Sequence, residues 1–279
     1  MTQFSHIKPS DEYQPLWQAI ADNRIEEAGF FIKPYKAAAS KPHSGKVFPA
    51  PLEIAGVILS GQTRLPDPKL NAVTGGDAQF AELVRLFMAL EQNGRYAAAR
   101  PDFVDLLLEI TEDLAGQMQE AAGDYPNTSI KANVWMAGAV IREWCGVLAD
   151  RFLVTGDKDA RYSVLYDKCS ITTAIMSHYP HSVGPDMVAV GMAMEDIGMA
   201  EESVKFYNAV ISDMGPMAED LTTVPAEEIM ATDITMLEAL KTAYERVTVL
   251  TATKQYQDMI SIVVPMIERG PGPEPQDEQ

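Results

Sequence analysis

The stretch Ser177-His178-Tyr179-Pro180-His181-Ser182 sets two imidazoles three residues apart, and imidazole is a common zinc ligand. A zinc site needs three or four converging ligands. Here Pro180 imposes an extended backbone between the rings, and the next carboxylates, Asp186 and Glu195, do not follow at ligand spacing. The expectation is two loop histidines at a helix junction and no metal, with His178 kept as a binding candidate. Ser44-Gly45-Lys46-Val47 lacks the earlier glycine and the later hydroxyl residue of a phosphate loop. Asp157-Lys158-Asp159 lacks the glycine and closing glutamate of a calcium loop. No Gly-x-Ser-x-Gly elbow occurs, and among 40 acidic residues no single carboxylate pair stands out. No catalytic residue and no cofactor are expected, and the reading leans away from an enzyme.

The elements that would position such residues are helices. Period-two alternation is nearly absent, whereas apolar residues recur at helical spacing, as in Phe80, Leu83, Val84, Leu86, Phe87 and Leu90. Two short helices are expected from Tyr13 to Ile32, broken at Asn23. A helix restarts near Pro101, and Ile130–Thr155 should be the central, most buried element. Asp157–Tyr179 is the next helix. Gly184-Pro185 should open its successor, and Met214-Gly215-Pro216 should close the helix after that. The last two helices span Pro225 to about Thr253 and Gln255 to Glu268, the latter kinked at Pro265.

Composition limits the function. With 47% hydrophobic residues in 279, the chain can bury a core. A net charge of −18 repels phosphates and anionic lipid heads, so no nucleic acid and no membrane are expected as partners. The longest apolar runs, Val134–Ile141 and Met259–Ile267, are too short to span a bilayer, and the amino terminus has no basic start before an apolar core. A cytoplasmic protein is expected, with Cys145 and Cys169 as buried free thiols. Residues 34–77 form a Pro-rich basic arm, expected to lie across the chain's own acidic helices or to bind an anion. Within it only Leu52–Leu59 is apolar enough to pack, as a short helix or a buried strand. Residues 1–268 are read as one helical domain carrying this arm, and 269–279 as a disordered acidic tail.

Four stretches read as helix–turn–helix joints, at Asn23, Gly94, Gly198 and Gln255. Around Gly198 the residues Met187, Val190, Gly191, Met194, Ser203, Tyr207 and, one residue late, Pro216 match a known pattern. A tetratricopeptide repeat carries Trp, Leu, Gly, Tyr, Ala, Phe and Pro there. Pro185–Pro216 therefore resembles such a repeat. Leu83–Leu106 fits similarly through Leu83, Leu86, Leu90, Ala99 and Phe103, with Phe87 where glycine is usual.

The resemblance covers about a third of the chain and implies an all-α fold of stacked antiparallel hairpins, tetratricopeptide-like or an α-α superhelix. It also implies a scaffold, adaptor or chaperone that binds a protein or peptide, here a basic or amphipathic one. Arg85, Asn133, Met187 and Met194, on the first helices of hairpins, are the expected groove residues. The methionines crowded from Met187 to Met217 would suit apolar peptides if exposed and are otherwise core filler. The alternative is an enzyme or small-molecule binder with a pocket between helices, lined by Trp135, Trp144, Tyr162, Tyr166 and His178.

Overall fold

The computed structural model describes residues 11–39, 49–62, 64–123, 132–176 and 180–272. Among them are eleven α-helices and no strand, helices packing on their neighbours in sequence, so the protein is all-α with a stacked helical fold. They form two compact units, 2–155 and 156–279.

The first unit holds α1 (Gln14–Ala21), α2 (Ile25–Ala39), α3 (Ala50–Leu59), α4 (Gly76–Asn93), α5 (Arg100–Gly123) and α6 (Ala132–Thr155). The break between α1 and α2 falls at Asn23, which takes a left-handed φ of 60°, a conformation asparagine tolerates better than most residues. Two of the four joints read from the sequence clasp each other here. Asn93 Nδ2 donates to the Ile20 carbonyl at the end of α1, and Arg95 Nη1 donates to Asn23 Oδ1 at 3.2 Å.

Helix α4, not α6, is the hub: it packs against α1, α3, α5 and α6. Its sequence buries Phe80, Leu83, Val84, Leu86, Phe87 and Leu90, and Phe87 meets Phe103 of α5 and Phe152 of α6 at 6.0 and 5.8 Å. By contrast α6 leaves Met136, Leu153 and Val154 exposed. The start of α4 depends on paired glycines. Gly75 has φ 101°, and a Cβ on Gly76 would lie 2.6 Å from the Asn71 backbone.

The segment expected as an arm is largely built into this unit. Helix α2 runs through Pro34 to Ala39, and α3 buries Leu52, Ile54, Ala55 and Ile58. Leu70 and Ala72 are buried as well, and Gln117 of α5 ties them down, accepting from the Ala72 N–H at 3.0 Å and donating to the Leu70 carbonyl at 2.9 Å. Residues 40–48, which complete the arm, lie outside the described residues.

The second unit holds α7 (Lys158–Met176), α8 (Pro180–Asp196), α9 (Ala200–Leu221), α10 (Ala231–Thr251) and α11 (Gln257–Arg269). Each packs on the next, and α8 also packs on α10. Two expected boundaries are corrected, since α8 passes through Pro185 and α9 through Pro216. In both cases the residue before proline is glycine, so the Cβ that usually clashes with the proline ring is absent. Those glycines also sit where helices meet: Gly184 faces Met214, and Gly215 faces the Tyr244 hydroxyl. Pro265 likewise lies inside a single α11. After α11 the chain is pinned, with the Gly272 N–H donating to the Ile229 carbonyl at 2.8 Å. The rest of the expected tail, 273–279, lies outside the described residues.

Candidate functional site

The residues singled out in the sequence do not assemble into one site. Arg85 and Trp144 do meet, the guanidinium carbon lying 5.6 Å from the ring centroid. That contact belongs to a packing cluster joining α1, α4 and α6. Glu82, buried on α4, accepts from Trp17 Nε1 at 2.6 Å and from Arg85 Nη1 at 3.3 Å. Burial pushes the Glu82 carboxyl above the usual carboxylate range, and the bonds from Trp17 and Arg85 only partly offset it.

Met194 is 4% exposed and so cannot line an open groove, while Met187 is half-buried against the core of the second unit. Trp135 is half-buried on α6. Tyr162 and Tyr166 lie one turn apart on α7, rings 6.1 Å apart, and Tyr166 continues onto Phe206 of α9 at 6.4 Å. The tryptophans belong to the first unit and the tyrosines to the second. His178 and the side chain of Asn133 lie outside the described residues.

A cleft that sequence reading missed lies in the first unit, where the end of α4, the turn at 94–99, the start of α5 and the end of α6 converge. Its volume is about 390 Å³, and the large apolar and aromatic residues of its lining are Phe87, Leu90, Tyr96, Phe103 and Val154. Apart from Tyr96, the turn offers it only the small residues Gly94, Ala97 and Ala99, which leaves space. Three charged side chains enter this apolar setting. Glu91 of α4 stands between two arginines, with Oε1 3.3 Å from Arg100 Nε and Oε2 3.5 Å from Arg151 Nε. Arg100 is further fixed by Thr155 Oγ1, 3.1 Å from Nη2, and by the Phe87 ring, whose centroid is 5.8 Å from its guanidinium carbon.

Arg151 is held less completely. Its Nε is shut off from solvent yet makes no hydrogen bond among the described residues. Spacing alone could not have flagged this grouping, because Glu91, Arg100 and Arg151 come from three helices. The one local signal was the alanine-rich turn beside Tyr96. A second cleft, of about 420 Å³, lies across the same turn and shares Tyr96 and Ala99 as wall.

The cleft can enclose an apolar body and offer it a guanidinium. Its polar lining is Glu91, Gln92, Arg100, Arg151 and Thr155, groups suited to binding by charge and hydrogen bond. No cluster of three or more potential metal ligands occurs among the described residues, and none of their helices is long and apolar enough to cross a membrane. Comparison of the chain with protein-family models, with curated proteins and with solved structures finds no match.

Proposed function

We propose that the protein is a binding protein whose first unit takes a small apolar molecule into the cleft beside Phe87, Leu90, Phe103 and Val154. The observation that carries this reading is a cavity of about 390 Å³ inside one helical unit, apolar-walled, with polar groups converging from three helices. Ligand pockets begin at about that size and share that composition. The test uses a neutral apolar dye, N-phenyl-naphthylamine, whose fluorescence rises out of water. Val154 is 78% exposed at the cleft, so Val154→Asp should leave the thermal midpoint unchanged. It should weaken dye binding roughly tenfold, the worth of one lost aliphatic contact made polar. Absence of dye binding to the wild type, or equal binding by the variant, would sink the reading.

A second reading concerns residues 156–279, as a tetratricopeptide-like unit that recognises a basic or amphipathic peptide. What supports it is the α8–α9 hairpin, in which Gly191 takes the place of the repeat's glycine and lies against Tyr207, at the repeat's aromatic position. The net charge of −18 favours a basic partner. Fluorescence anisotropy of a labelled basic amphipathic peptide with the full chain should show binding that weakens as salt rises. No binding at low salt would remove this reading.

A further inference from the structure

We infer that the ligand of the cleft is an apolar monocarboxylate, an aliphatic or aromatic acid whose carboxylate pairs with Arg151 while its hydrocarbon body lies against Phe87, Leu90, Phe103 and Val154. This rests on the reading of the cleft as a small-molecule site and names the ligand's chemistry.

The charges of the cleft do not balance. Two guanidiniums line it against one carboxylate, that of Glu91. Arg100 has its charge and geometry accounted for by Glu91, Thr155 and the face of Phe87. Arg151 does not, since its contact with Glu91 is a single 3.5 Å approach. Helix ends modify this sum without reversing it. The carboxyl ends of α4 and α6 bring about −0.5 charge each, and the amino end of α5 about +0.5, so an excess of positive charge remains.

Apart from that approach of Nε the Arg151 guanidinium makes no hydrogen bond among the described residues, and its side chain is 35% exposed, so its terminal nitrogens can take an acceptor supplied by a ligand in the cleft. Carboxylate suits the planar fork of arginine, which it can meet with two parallel hydrogen bonds. The surroundings then select among anions. A dianion would bring a second charge into apolar walls with no second free guanidinium to offset its desolvation. A cation would meet Arg100 and Arg151, and a neutral molecule would leave Arg151 as it is. One carboxylate on an apolar body satisfies both the wall and the arginine.

Calorimetric titration of the full chain with three probes of equal tail, each below its micelle concentration, separates the possibilities. Dodecanoate should bind roughly tenfold more tightly than dodecanol, the increment expected for one charge-assisted pair at a half-buried site. Dodecyltrimethylammonium should not bind detectably. Arg151→Gln should bring dodecanoate down to the level of dodecanol while leaving dodecanol affinity and the thermal midpoint unchanged, a pattern that a merely structural arginine would not produce. Arg151→Lys, which keeps the charge but not the fork, should retain part of the preference. Equal affinity of the wild type for dodecanoate and dodecanol, or a preference that survives Arg151→Gln, overturns the carboxylate assignment and leaves the apolar cleft standing. If no probe binds and the neutral dye also fails, both readings fall together.

Discussion

Gly191→Ala is expected to destabilise the second unit by about 1–3 kcal/mol, the usual cost of overpacking a core. Helix propensity alone argues the opposite, because alanine in a helix interior is favoured over glycine by about 1 kcal/mol. Packing decides the sign. A Cβ at Gly191 would lie 2.7 and 2.8 Å from Cε1 and Cζ of Tyr207. That ring is fully buried and held by its hydroxyl, so it has nowhere to go. Gly116, within α5, has nothing within 4 Å of the corresponding position. Gly116→Ala should therefore stabilise by about 0.5–1 kcal/mol. Urea denaturation of the two variants beside the wild type measures both, and the idea fails if Gly191→Ala stabilises as Gly116→Ala does. Tyr207→Leu should relieve part of the loss in the Gly191→Ala background, since it removes the opposing ring atoms.

The second large effect is expected at Glu195, whose carboxylate joins three helices. It accepts from the Tyr207 hydroxyl of α9 and from the Arg246 guanidinium of α10, with Nε at 2.9 Å. Glu195→Ala strands a buried phenol and an arginine, at a cost of about 2 kcal/mol, moderated because the Arg246 side chain is 40% exposed.

Acid should expose the same network. Burial by itself raises the Glu195 carboxyl, but hydrogen bonds from Arg246 and Tyr207 outweigh it and hold the group below the usual carboxylate range. A folded-state value below the unfolded one means that the stabilisation is present above the ordinary value of 4.5 and is lost as pH falls through the folded-state value. The deficit of Glu195→Gln relative to the wild type should thus be largest near neutrality and shrink in acid. Glu82, raised by burial, has the opposite sign. Its contribution is present below 4.5 and is lost as pH rises through the folded-state value. Glu82→Gln should therefore fare better relative to the wild type as pH rises. Thermal unfolding of both variants across pH 3 to 8 checks this, and parallel pH dependences would refute it.

Short-range pattern carried the helices well. The break at Asn23, the turn at Gly198 and the amphipathic stripe of α4 each depend on neighbours within a turn or two. Prolines 185 and 216 misled because proline is ordinarily disfavoured inside a helix, so one was read as a helix start and the other as a helix end. What permits them inside is a preceding glycine, together with the helices that pack on Gly184 and Gly215. How fully the segment read as an arm is built into the first unit was hidden for a related reason. Its apolar residues are few, but Leu70 and Ala72 are made core by Gln117, which lies more than 40 residues away.

Residue types and spacing by themselves determined that the chain is helical and where most helices turn. They also placed Gly191 and Tyr207 on facing helices of one hairpin. Only the tertiary structure decided that α4 is the hub, that Met194 is core and that Arg85 serves Glu82 and Trp144. It alone set Glu91 between Arg100 and Arg151 in an apolar cleft. Helix formation follows from hydrogen bonds and side-chain periods that close within four residues, and these are legible along the chain. A cleft is the space left where three helix ends fail to fill a corner, and that depends on distances between residues far apart in sequence.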